Sequence, residues 1–160
     1  MIKLKKDLTL TLILFVIVSA LISAFIIQYG LGHKPCKLCL YERIPYFISI
    51  ILIIKILIYN KYEKITLLIL SGIFLLSFIL SFYHFGIEQG FIKESLACAT
   101  DSSLIDLTKD QLLEQLKQNV VSCKDVSFRV VGLSLATINS IFSLILSVIF
   151  ALLFFNYGKN

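Results

Sequence analysis

The sequence predicts an all-α integral membrane protein: a four-transmembrane-helix bundle with a short amphipathic helix in its second outer loop. Three observations carry that reading. Of 160 residues, 58% are hydrophobic and 16% charged, whereas a soluble domain is about half apolar and about a quarter charged. The apolar excess is gathered into long blocks, as in membrane-spanning helices. All four cysteines, Cys36, Cys39, Cys98 and Cys123, lie between the blocks and none within them, which suits loops facing an oxidising compartment. Residues 1–160 read as a single membrane domain. The net charge of +5 sits beside the apolar blocks, so membrane topology accounts for it and nucleic acid is not an expected partner.

The first span is placed at residues 8–29. It follows Lys3, Lys5 and Lys6, and it runs on past Ser23 and Ala24, the small-residue candidates for signal cleavage. It therefore reads as a retained helix with its N-terminus in the cytoplasm. Residues 30–43 form a short outer loop. The second span, 44–59, holds Lys55 near its end, where the side chain can snorkel to the headgroups. A tight basic turn leads to the third span, 65–85. The long outer loop 86–129 follows, with Cys98 and Cys123 in it. Thr108 and Gln111 form a capping box there, and Leu112, Leu113, Leu116 and Val120 recur at helical spacing. That helix is too short and too charged to span, so it is expected to lie flat on the membrane or on the bundle. The last span is placed at 130–155, with Gly132, Ala136 and Ser140 as a small-residue stripe for close packing.

Orientation follows from where the basic residues crowd. Lys3, Lys5, Lys6, Lys61, Lys64 and Lys159 sit next to helix ends, while the outer ones are spread over longer loops and matched by acids. The chain is thus read as N-in and C-in, with all four cysteines on the outer side.

The chemistry concentrates in Pro35-Cys36-Lys37-Leu38-Cys39-Leu40-Tyr41-Glu42-Arg43. A Cys-x-x-Cys can alternate between dithiol and disulfide or supply half of a metal site. On a continuous helix Arg43 would share a face with Cys39 and favour its thiolate. Pro45 lacks an amide proton and disfavours helix at Ile44, so the second helix is expected to begin near it. Two cysteine pairs allow three uses: structural stapling, a zinc site or a redox relay. Stapling the loop from Cys98 to Cys123 would contribute about 3–4 kcal/mol by chain-entropy reasoning. Zinc is disfavoured because Cys98 and Cys123 are widely spaced and no second paired motif appears, so no metal is expected. A relay needs an accessible disulfide and an attacking thiolate, and the two loops offer both.

Pro35 to Tyr46 closely resembles the signature of the DsbB family of bacterial inner-membrane disulfide-forming oxidoreductases. Tyr83-His84-Phe85-Gly86-Ile87-Glu88 and the stretch from Gly132 to Asn139 are similar to that family too. The order of spans and cysteines extends the resemblance over essentially the whole chain. It implies a disulfide Cys98–Cys123 that reoxidises a periplasmic DsbA-type thioredoxin-fold dithiol protein, with Cys98 forming the mixed disulfide. It further implies that electrons pass to a second redox-active pair, Cys36–Cys39, and from Cys39 to a membrane quinone, ubiquinone or menaquinone. Arg43 and His84 are the quinone-site residues implied. The loops would face the periplasm across the inner membrane, and the remaining partner is membrane lipid. Glu42 is expected to be a solvated or salt-bridging surface residue, Asn139 interhelical glue, and His33 is assigned no role.

Two alternatives belong beside this reading. A vitamin K epoxide reductase-like quinone-linked thiol oxidoreductase usually has its Cys-x-x-Cys on a late helix, the reverse of the order here. A non-catalytic, disulfide-stapled membrane subunit would need neither Cys36 nor Arg43 for any redox flux.

Overall fold

The computed structural model describes residues 2–59, 62–93, 122–124, 128–130 and 132–157. The capping box at Thr108 and Gln111, the amphipathic helix after it, and Cys98 lie outside the described residues.

Helix α1 (Ile2–Phe25) continues into a π-helical turn, Ile26–Gly30. A single-turn helix α2 (Lys37–Tyr41) carries the Cys-x-x-Cys and is followed by α3 (Ile44–Ile58) and α4 (Glu63–Glu88). Strands β1 (Arg129–Val130) and β2 (Leu133–Ser134) form a two-stranded antiparallel ladder before α5 (Leu135–Phe155).

Among the described residues three helical stretches, Lys6–Gly30, Glu63–Glu88 and Leu135–Phe155, are long and apolar enough to cross a membrane. Helix α3 has 15 residues and rises about 22 Å at about 1.5 Å per residue, short of a hydrocarbon core of about 30 Å. Its outward side chains are nevertheless apolar. Ile51 on α3 is 68% exposed, as Phe15 on α1 is 72% and Leu76 on α4 is 68%. An apolar surface this extensive suits lipid and not water.

The last helix begins at Leu135 and not at 130. Gly132 turns the β1–β2 connection at φ +83°, a left-handed conformation that favours glycine. Ser134 then caps α5 by accepting a hydrogen bond from the Thr137 amide at 3.2 Å. Gly132 is therefore absent from the expected stripe, which is continued instead by serines.

Ala136, Ser140, Ser143 and Ser147 are buried on α5, and Ser77 and Ser81 on α4. Ser71 Oγ donates to the Ser147 carbonyl at 3.1 Å, and Ser147 Oγ returns a bond to the Ser71 carbonyl at 3.0 Å. Ser77 and Ser143 hydroxyls meet at 3.0 Å. Small residues let the two backbones approach, and each hydroxyl finds a partner across the interface.

The apolar core lies beside this seam. Leu10, Ile13, Ile17 and Leu21 bury one face of α1 at helical spacing. Phe74 on α4 stacks on Phe150 of α5 at 5.7 Å and meets Tyr46 of α3 edge-on at 5.6 Å. Lys6 closes one end by donating to buried Glu63 at 2.5 Å.

Replacing Ser77 by Leu forces a branched side chain between α4 and α5. The expected cost is about 1–3 kcal/mol, read as a lowered thermal midpoint in detergent. An unchanged midpoint would contradict the close contact.

Candidate active site

At the end of the bundle away from Glu63, four elements bring their polar side chains together. Cys36 caps α2: its backbone is extended at φ −71° and ψ 169°, and its Sγ accepts the Cys39 amide at 3.2 Å. Helix α2 then carries Cys39 back over the cap, so the two sulfurs lie 2.7 Å apart. Both are free thiols.

His84, on α4, is 2% exposed and sets its Nε2 3.5 Å from Cys36 Sγ. Its Nδ1 donates to Glu42 Oε1 at 2.8 Å. Glu42 is 6% exposed, and its other oxygen accepts from Asn139 Nδ2 of α5 at 2.8 Å. Asn139 also donates to Ser81 Oγ at 2.6 Å and accepts from the Tyr46 hydroxyl. Of the solvated or salt-bridging surface residue expected from the sequence, Glu42 keeps a charged-group partner in His84 but is buried and not at the surface. Pro45 holds the start of α3 within its first turn, and the backbone break at Glu42 and Arg43 turns the carboxyl inward. Asn139 does act as interhelical glue, linking α3, α4 and α5 through Tyr46, Ser81 and Glu42.

The electrostatics differ from the expectation at Cys39. The Cys36 thiol is shifted well below the ordinary thiol range, first by its hydrogen bond with Cys39, then by its bond with His84, against the opposing effect of burial. The Cys39 thiol is raised, because it shares its proton with Cys36 and is buried beside that charge and beside Glu42. Arg43 does not share a helix face with Cys39, since α2 ends at Tyr41. It reaches α1 instead, donating from Nη1 to Gln28 Oε1 at 2.5 Å and from Nη2 to the Ala24 carbonyl at 3.5 Å, over the Phe25 ring at 5.2 Å. The π turn presents Gln28 to it, and such turns recur at functional sites.

A cavity of about 480 Å³ opens beside these groups. Val16, Ala20, Leu21, Ile138 and Phe142 form apolar walls, while Cys36, Cys39, Glu42, Arg43 and His84 gather at the polar end. Cys123 lines it as well and packs in one buried cluster with Cys36, Leu38 and Ile87. Cys123 is disulfide-bonded. Size, apolar lining and a few convergent polar groups are what a small-molecule site requires.

Of the residues singled out from the sequence, Cys36, Cys39, His84, Arg43 and Cys123 therefore meet at one cavity. Tyr46, Gln28 and Glu88 were not singled out, and Glu42 was given only a surface role. Glu88 had a signal, since it follows His84 by one helical turn at the end of a span, and its Oε1 lies 3.8 Å from His84 Nε2.

The family described as "Disulfide bond formation protein DsbB" matches residues 6–153 of the chain. The chain belongs to the DsbB family. A protein of Rickettsia prowazekii (strain Madrid E) named "Uncharacterized protein RP370" is 32% identical over 160 residues, covering 97% of this chain and 90% of the relative. No solved structure matches. Membership in the DsbB family, with the apolar helices, makes this a membrane protein of disulfide bond formation.

A lowered Cys36 thiol keeps its thiolate as pH falls. Cys36 alkylation is accordingly expected to stay rapid at pH 6, with His84→Ala slowing it about tenfold or more, a pKa unit being tenfold in thiolate at pH below the pKa. Peptide mapping after iodoacetamide reads this. A parent rate that falls tenfold per pH unit from 8 to 6 would contradict the arrangement.

Proposed function

We propose that this DsbB-family protein reoxidises a periplasmic DsbA-type thioredoxin-fold dithiol protein and delivers the electrons to a membrane quinone. The observation that carries the reading is the Cys36–Cys39 pair at the polar end of an apolar cavity, packed against disulfide-bonded Cys123. Cys98 is the remaining cysteine and is the proposed partner of Cys123.

In this scheme the partner's thiolate attacks Cys98, breaking Cys98–Cys123 and releasing Cys123 as a thiolate. The partner's second thiol closes its own disulfide and frees Cys98. Two electrons have then entered the loop pair, which returns to its disulfide by exchange with oxidised Cys36–Cys39. Cys123 packs in one buried cluster with Cys36, which favours that exchange. That exchange leaves Cys36–Cys39 as a dithiol.

The cavity's apolar walls suit a quinone ring, and its polar end holds the donors that such a ring would meet. A bound quinone would supply a two-electron, two-proton acceptor. Arg43 places a fixed cation at that end, suited to negative charge on a ring oxygen. His84 and Glu42 hold Cys36 as the stabilised sulfur and leave the proton on Cys39, which must lose it as the disulfide closes. Helix α3 is proposed as the fourth span, with Lys55 in its last turn snorkelling to the headgroups. The topology is N-in and C-in across the inner membrane.

The test is quinone reduction by purified protein in detergent, started with a reduced DsbA-type partner. The parent is expected to turn over, while Cys39→Ala and Cys98→Ala abolish turnover in folded protein. Equal quinone reduction by parent and variants, or none by a folded and oxidised parent with either partner or small dithiol, would overturn the proposal.

A further inference from the structure

We propose that the reduced Cys36–Cys39 pair binds a zinc ion together with His84, and that its disulfide form does not. From the sequence no metal is expected, because Cys98 and Cys123 are widely spaced and no second paired motif appears, and His84 stands 48 residues beyond Cys36. The fold removes that distance. The two sulfurs and a ring nitrogen of His84 all lie within 4.8 Å of one another. With Zn–S bonds of about 2.3 Å and Zn–N bonds of about 2.0–2.1 Å, a tetrahedral site has S···N edges of about 3.6 Å and S···S edges of about 3.8 Å. Cys36 Sγ and His84 Nε2 already stand 3.5 Å apart. The sulfurs, at 2.7 Å, must part by about 1 Å, a small rotation for two cysteines on one turn of helix.

Three further features suit a metal. His84 Nδ1 is bonded to the Glu42 carboxyl at 2.8 Å, which leaves Nε2 as the nitrogen that faces the sulfurs and would bind a metal once its proton is displaced. Zinc-binding histidines are commonly held by such a carboxyl partner. Glu88 offers the fourth ligand: it lines the same cavity, its Oε1 is 3.8 Å from His84 Nε2, and its buried Oε2 has no hydrogen-bond partner among the described residues. Two thiolates, an imidazole and a carboxylate form a ligand set that borderline-soft zinc accepts. The cavity supplies a way in.

The consequence is redox-gated. Zinc replaces the thiol protons of the dithiol, and a disulfide has no thiolate to offer. A bound ion would therefore hold the pair reduced and withdraw both sulfurs from exchange until it is chelated. The binding itself depends on the dithiol and His84, whichever acceptor takes the electrons.

The experiment titrates anaerobic protein carrying Cys98→Ser and Cys123→Ser in detergent with Co2+ and then Zn2+. The reduced form is expected to take up one equivalent of Co2+, with thiolate-to-cobalt charge-transfer absorption and tetrahedral visible bands that Zn2+ bleaches. The same protein with Cys36–Cys39 oxidised is expected to bind none. His84→Ala and Glu42→Gln are expected to weaken binding about 10–100-fold. No uptake by the reduced form, uptake that survives oxidation, or equal affinity in His84→Ala would overturn the proposal. If the double serine variant fails to fold, Zn2+ protection of thiols from alkylation in the reduced four-cysteine chain decides. Protection at Cys36 and Cys39 supports the site, and protection confined to Cys98 and Cys123 overturns it.

Discussion

The buried carboxyl of Glu42 is the constraint on which the site depends. One oxygen fixes His84 and the other accepts from Asn139, so a single side chain between α2 and α3 joins α4 to α5. A buried carboxyl left unpaired is costly, and hydrogen bonds to a charged group contribute about 1.5–3 kcal/mol each. The two bonds therefore select one seating of α2 on the bundle. Cys36 inherits its place from that seating, because His84 cannot turn away without giving up Glu42. The serine seam between α4 and α5 serves the same end by keeping His84 and Asn139 at a fixed separation.

The structure divides labour between His84 and Arg43 at the two sulfurs. His84 stabilises Cys36, while Arg43 is held against α1 by Gln28 and the Ala24 carbonyl. The guanidinium thus stands at the cavity end without being spent on either cysteine. The surroundings lower the Cys36 thiol and raise that of Cys39, so the two sulfurs of one pair are not equivalent.

Much of this was legible in the sequence, for a physical reason in each case. The three helices long and apolar enough to cross a membrane follow from apolar run length, and the Cys-x-x-Cys is a local motif whose geometry one helical turn dictates. Ala136 and Ser140 showed the packing face of α5 because the helical period is local. What escaped depends on tertiary burial or on backbone breaks. Glu42 reads as a surface acid until His84 and Asn139 are packed against it. Arg43 would share a face with Cys39 on a continuous helix, but the turn before Pro45 interrupts it. Gly132 fits the period of α5 but lies in the hairpin that precedes it. Whether α3 spans on its own was equally beyond the pattern, since a short apolar helix looks the same spanning or half-buried.

The central claim is that Cys36 and Cys39 pass two electrons directly to the acceptor in the cavity. A single-turnover measurement addresses it without any protein partner. Protein carrying Cys98→Ser and Cys123→Ser, reduced and freed of metal, is mixed anaerobically with one equivalent of quinone, quenched in acid and mass-tagged at its thiols. The account predicts that both tags at Cys36 and Cys39 are lost together as one equivalent of quinol forms. Thiols that remain fully tagged while the protein stays folded would contradict it.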